Sequence, residues 1–155
     1  MKRIKIIALV LLLFFLGFFR EFLFENINSH LYYLWKGENN PNLPSSLLFL
    51  QNFEYWTLYY AKFFLIAVFT GIYLLVSILL VSQFFREKAF RNITIAFFIG
   101  VFAFSGIIFS VGYLLGSGHE AYGISRKLIE FVQSPLACFF LIPAFALYKN
   151  DRLSQ

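Results

Sequence analysis

The stretch Phe63–Gln83, FFLIAVFTGIYLLVSILLVSQ, decides the fold class of this chain. It has 21 residues and no charge, and as a helix it would be about 31 Å long, which matches a hydrocarbon core of roughly 30 Å. A second uncharged run of 23 residues follows at Ile93–Leu115. Two such runs in a chain of 155 residues predict an integral membrane protein built from helices.

Two further apolar runs flank this pair. Ile6–Phe19 has only 14 residues, so we expect its helix to continue to about residue 24 in order to cross the bilayer. Phe131–Tyr148 contains Pro135 and Pro143, each of which lacks a backbone N–H, so a kinked crossing is expected. The sequence therefore predicts an all-α membrane protein with a single integral domain over residues 1–155. Its four transmembrane helices are expected at about 4–24, 61–83, 93–115 and 128–148.

The composition and the distribution of charge agree with this threading. Apolar residues make up 60% of the chain and charged residues 14%, against about 45–50% and 25% in soluble domains. The segments before the first span, between the second and third, and after the fourth hold eight cations: Lys2, Arg3, Lys5, Arg86, Lys88, Arg91, Lys149 and Arg152. The other side holds five: Arg20, Lys36, Lys62, Arg126 and Lys127. The positive-inside rule thus predicts that both termini are cytoplasmic (N-in/C-in). The net charge of +5 is explained by this membrane topology, so it gives no reason to expect a nucleic-acid partner.

The first outer loop carries the strongest turn signal. Residues 37–44 read GENNPNLP, and Ser45 or Ser46 can cap a helix that starts at Leu47. We expect this short helix to lie along the outer membrane interface.

Small residues recur on the third helix at intervals of three and four positions, which places them within about a third of its circumference. Such a stripe permits close backbone approach in lipid. It would serve either packing within this chain or contact with another membrane protein. The candidate packing residues on the second and third helices are Ala67, Gly71, Ala96, Gly100, Ala103, Gly106 and Ser110.

Polar residues near the outer boundary form the second candidate site. Arg126 and Glu130 are four apart on a helix, so they are expected to pair. If the first and fourth helices are neighbours, Arg20 or Glu21 would bridge to them; the alternative is that these charges snorkel to headgroups and water. The candidate partner or lipid contacts are Arg20, Glu21, Arg126, Lys127, Glu130 and Gln133.

Residues that could support catalysis or metal binding are few. His119 and Glu120 begin like a metalloprotease motif, but Gly123 stands where the second histidine is required. His30 is expected on the surface, and Cys138 lies inside an apolar run, where a thiol is usually a small hydrophobe. We therefore predict no catalytic residue, no metal and no cofactor.

Two motifs resemble a known family. Arg20–Asn26 reads REFLFEN, whereas Arg126–Leu136 reads RKLIEFVQSPL and is followed by LIPAF at Leu141–Phe145. Together with the length and the helix number, these motifs resemble the small membrane proteins encoded beside exosortase F in some Gram-negative bacteria. The resemblance implies an accessory to an exosortase, which is an integral membrane transpeptidase that sorts proteins to the cell surface.

The leading hypothesis is a non-enzymatic accessory protein of such a sorting system, multi-pass in the bacterial inner membrane. Its expected partners are membrane lipids and a polytopic, exosortase-like membrane protein. The second hypothesis is a small lipid-binding or lipid-modifying protein that uses the basic residues Arg20, Arg126 and Lys127 at the outer boundary. A transporter or channel is disfavoured because the second and third spans contain no ionisable residues to line a path.

Overall fold

The computed structural model describes the backbone of residues 2–153 and the side chains of residues 3–150. Within that part of the chain all regular structure is helical, as the sequence predicts, and no strand occurs. The elements are α1 (Lys2–Lys36), a 3-10 helix (Ser45–Asn52), α2 (Tyr55–Phe84), α3 (Lys88–Leu114), α4 (Gly118–Val132) and α5 (Leu136–Leu153). The side chains of Lys2 and Arg152, two of the cations that predict the orientation, lie outside the described residues.

Three of the helices, α1, α2 and α3, are long and apolar enough to cross a membrane. The pair α4 and α5 passes the same test together, although it is bent by 63°. The chain therefore has three candidate spans, or four if the bent pair is one crossing, which agrees with the predicted class of protein.

The first helix is longer than the sequence analysis predicts. It continues to Lys36 rather than ending near residue 24, and its 35 residues would measure about 52 Å, well beyond a hydrocarbon core of roughly 30 Å. It ends at Gly37, whose φ of 73° is open to glycine but costly for other residues. The N–H of Gly37 donates to the Leu34 carbonyl at 3.1 Å and that of Glu38 donates to Tyr33 at 3.0 Å, which completes a Schellman cap. The prediction erred because loss of apolarity does not end a helix, whereas this glycine does.

The chain divides into two compact units. Unit 1 consists of Met1–Phe14 and Thr70–Gln155, and unit 2 consists of Phe15–Phe69. The core of unit 2 is apolar and combines residues of α1, the 3-10 helix and the first turn of α2: Ile27, Leu31, Leu47, Leu50 and Leu58. Because a 3-10 helix has three residues per turn, Leu47 and Leu50 share the face that packs into this core. The helix predicted after Pro44 is thus present, as a 3-10 helix.

The predicted fourth span is two helices. Pro135 stands in the break between α4 and α5, and its carbonyl accepts from the N–H groups of Cys138 and Phe139, both at 3.1 Å. Pro143, in contrast, lies inside α5. The predicted kink therefore occurs at the first proline. The start of α4 at Gly118, ten residues before the predicted position of 128, was missed because this helix is amphipathic and an apolarity criterion does not detect its first half.

Candidate functional site

α3 packs against α4 through small and polar residues of unit 1. Ser105 on α3 and Ser125 on α4 are both buried and bond reciprocally. The Ser105 hydroxyl donates to the Ser125 carbonyl at 3.0 Å, and the Ser125 hydroxyl donates to the Ser105 carbonyl at 2.9 Å. In lipid such bonds hold helices together, because no water competes for the hydroxyl groups.

A second close contact of the two helices lies two turns further along α3. A Cβ built at Gly112 on α3 would meet the Cβ of Ala121 on α4, so only glycine fits at this position. The short connection after Leu114 brings the helices together, since Gly116 has a φ of 77° and Ser117 donates its N–H to the Gly112 carbonyl at 2.9 Å. The sequence analysis did not propose Ala121, although its spacing of four from Ser125 is a small-xxx-small signal.

The predicted small-residue stripe of α3 does not take part in the contact with α4. Its five members are all exposed within this chain: Ala96, Gly100, Ala103, Gly106 and Ser110. At 100° per residue, the centre of the stripe lies about 160–180° from Ser105 and Gly112, two residues that contact α4. A Cβ at Gly100 or Gly106 would have nothing within 4 Å. The stripe is therefore an open face on the side of α3 away from α4.

The two small residues predicted on α2 are also largely open. Ala67, in unit 2, is exposed, and Gly71, in unit 1, is half-buried with open space around an added Cβ. Neither belongs to a close helix contact of the kind found at Gly112.

A row of buried polar side chains on α2 forms the polar core of unit 1. The Gln133 amide, just after α4, donates to the Thr70 hydroxyl at 2.7 Å. The Tyr73 hydroxyl donates to the Leu13 carbonyl of α1 at 3.2 Å. One turn further along, the Cys138 thiol of α5 donates to the Ser77 hydroxyl at 3.0 Å. These three bonds join α2 to α1, to the end of α4 and to α5, so Gln133 has a structural role in this core.

Replacing Gln133 with leucine is expected to lower the free energy of unfolding by about 1 kcal/mol, because an interhelical hydrogen bond in a membrane contributes that much. The measurement is a double-mutant cycle with Thr70→Val, followed by circular dichroism in an SDS titration. A coupling energy of about 1 kcal/mol is expected, since each substitution removes the same bond. Strict additivity of the two substitutions would show that the bond contributes nothing.

The predicted boundary charges are distributed over both units. On α4, Arg126 and Glu130 form the ion pair that their spacing predicts, with Nε and Oε1 2.7 Å apart and both side chains largely exposed. Lys127 is exposed beside them. In unit 2, Glu21 is exposed, whereas the Arg20 guanidinium lies 5.1 Å from the centre of the Phe24 ring. Exposed ion pairs contribute little to stability. The Arg126–Glu130 pair therefore sets the orientation of these two side chains and adds little to the free energy of unfolding.

Comparison with known proteins gives no family for this chain. No protein-family model matches the sequence, and no curated protein and no solved structure matches it. The resemblance of the two end motifs to the exosortase-associated family thus stays a prediction from the sequence.

Two histidines are the remaining residues that could support metal binding or catalysis. Contrary to the surface position expected from the sequence, His30 is 97% buried in unit 2, being 3% exposed, and neither ring nitrogen has a hydrogen-bond partner. His119 is exposed at the start of α4. Among the described residues no three side chains of His, Cys, Asp or Glu are grouped as metal ligands would be.

Proposed function

We propose that the chain is a non-enzymatic membrane accessory protein that binds a partner membrane protein through the exposed stripe of α3. The observation that carries the proposal is the openness of this stripe, which has five small, exposed positions on one face; among the described residues, nothing lies within 4 Å of a Cβ built at Gly100 or Gly106. Glycine in the interior of a helix costs roughly 0.5–1 kcal/mol relative to alanine. A second helix packed close to the stripe would offset that cost with backbone contacts that lipid chains make less well.

The partner in this proposal is a polytopic, exosortase-like protein of the bacterial inner membrane. The support is the resemblance of REFLFEN at Arg20–Asn26 and of RKLIEFVQSPL at Arg126–Leu136 to the exosortase-associated family. Exposed Glu21 and Lys127, one in each motif, provide polar contacts at the outer boundary.

The proposed orientation places both termini in the cytoplasm and the 3-10 helix at the outer interface. Positive charge at the ends and in the turn between α2 and α3 supports the first part. The 3-10 helix presents Leu48 and Phe49 to its surroundings, while the start of α2 exposes Trp56 and Tyr60. Exposed aromatic and aliphatic side chains next to turn residues are typical of the region between headgroups and acyl chains.

The double substitution Gly100→Leu with Gly106→Leu tests the proposal. Both leucines project into open space in the chain alone, so insertion and folding are expected to persist, whereas a close partner helix would be displaced. A tagged chain is extracted from its native membrane in mild detergent, and co-purifying proteins are quantified by mass spectrometry. We expect the stoichiometric polytopic partner to fall at least about tenfold, which corresponds to roughly 1.4 kcal/mol of lost contact.

Gly123→Leu is the matched control. Gly123 on α4 also has nothing within 4 Å of an added Cβ, but it lies outside the stripe. This variant is expected to retain the partner at the wild-type level. A partner that is retained equally by the double variant would contradict binding through the stripe, and a wild-type preparation without any polytopic protein would contradict the accessory function.

A further inference from the structure

A cluster of aromatic rings closes one end of unit 1. Phe90 of α3 lies at its centre, with its ring centroid 4.8 Å from that of Phe85 and 5.0 Å from that of Phe145. Tyr148 of α5 contacts Phe90 edge-on at 6.4 Å, and Phe85 meets Phe145 at 5.9 Å. These contacts hold the turn between α2 and α3 against the second half of α5.

Exposed cations adjoin the residues of this aromatic cluster in the sequence. The turn and the adjoining ends of α3 and α5 supply four exposed cations: Arg86, Lys88, Arg91 and Lys149. None of the four forms an ion pair with any side chain that the structure describes. Within residues 84–92 and 145–152 the sequence has two carboxylates, Glu87 and Asp151, against five cations, the fifth being Arg152; the side chains of Asp151 and Arg152 lie outside the described residues. The end of unit 1 therefore carries an excess of unpaired positive charge, contributed by two elements that the rings hold together.

We infer that this end of unit 1 binds the phosphate of an anionic phospholipid. Cations from the turn and from α5 would share the headgroup, because the Phe90 contacts keep these two elements adjacent. Partly exposed aromatic side chains next to the cations, Phe84 at 45% and Tyr148 at 52%, provide apolar surface for the adjoining glycerol and acyl chains. That apolar surface favours a lipid over a free phosphate ion. The inference goes beyond partner binding and requires only that the helices lie in a membrane.

The test uses the purified full-length chain in mild detergent, titrated with phosphatidylglycerol or with phosphatidylcholine and followed by native mass spectrometry. Phosphatidylglycerol is expected to bind more tightly than phosphatidylcholine. Arg91→Gln and Lys149→Gln are each expected to raise its dissociation constant about fivefold, and the double variant about 25-fold, since each cation near an anionic headgroup contributes on that scale. Both side chains are exposed, so the fold is expected to remain intact.

Lys36→Gln is the matched control, because Lys36 is an exposed cation of unit 2 whose ammonium lies over the Tyr32 ring. It is expected to leave the dissociation constant unchanged. The inference would be overturned if Lys36→Gln weakened phosphatidylglycerol binding as much as Lys149→Gln does, or if the two lipids bound equally well. Displacement of phosphatidylglycerol by millimolar inorganic phosphate would assign the cations to a free anion and overturn the assignment to lipid.

Discussion

Replacing Gly112 with leucine is expected to lower the free energy of unfolding by about 3 kcal/mol, the upper part of the range for inserting atoms into a tightly packed site. The cause is the contact with α4, where an added Cβ would overlap with the Cβ of Ala121. Both atoms are fixed by helix backbone, so a rotamer change offers no relief and the two helices must separate. Separation would also break the reciprocal bonds between Ser105 and Ser125.

Unfolding of the purified protein by SDS, followed by circular dichroism, measures this effect. Gly106→Leu is the control, because it adds the same side chain to the same helix where nothing lies within 4 Å. It is expected to leave the unfolding midpoint unchanged or to raise it slightly, because leucine has a higher helix propensity than glycine. Equal destabilisation by the two variants would mean that the added side chain acts in the same way at any position of α3, and that the contact with Ala121 does not determine the result.

The second large effect is expected at Tyr73, which is fully buried in unit 1. Tyr73→Ala removes the ring and the bond to the Leu13 carbonyl, and we expect a loss of about 3 kcal/mol from the cavity that remains. Tyr73→Phe keeps the ring and removes only the hydroxyl, so a loss of about 1 kcal/mol is expected, as for the interhelical hydrogen bond of Gln133.

The difference between these two variants separates packing from hydrogen bonding at the contact between α1 and α2. The same SDS titration measures both. If Tyr73→Phe were as destabilising as Tyr73→Ala, the hydroxyl and not the ring would carry the stability of this contact, contrary to the structure described above.

The membrane class and the central spans could be predicted from the sequence because apolar length alone decides them. The C-terminal end of α1 and the N-terminal start of α4 could not be predicted in this way. Residues 25–36 are polar enough to leave the membrane yet contain no glycine or proline, so helix geometry persists until Gly37. The first half of α4 is amphipathic, and its burial depends on α3, which a single sequence does not reveal.

The candidate surfaces show a similar limit. Periodicity predicted that Gly100 and Gly106 share one face, but spacing does not say what that face contacts. The close contact between α3 and α4 involves Gly112 and Ala121, and Ala121 lies before the predicted fourth span. Likewise, the spacing of Arg126 and Glu130 predicted their ion pair, whereas the bond between Gln133 and Thr70 joins positions 63 residues apart and leaves no local sequence signal.

The central claim is that the exposed face of α3 contacts a protein partner. The most direct measurement is photocrosslinking in the native membrane, with benzoylphenylalanine placed at Ile107 or at Phe104. The two positions are almost equally exposed, at 59% and 57%. Ile107 falls within the arc of the small-residue stripe, whereas Phe104 lies about 100° from its centre. Contact through the stripe predicts a discrete protein adduct from Ile107 and none from Phe104. The absence of a protein adduct at Ile107, or the same adduct from both positions, would contradict it.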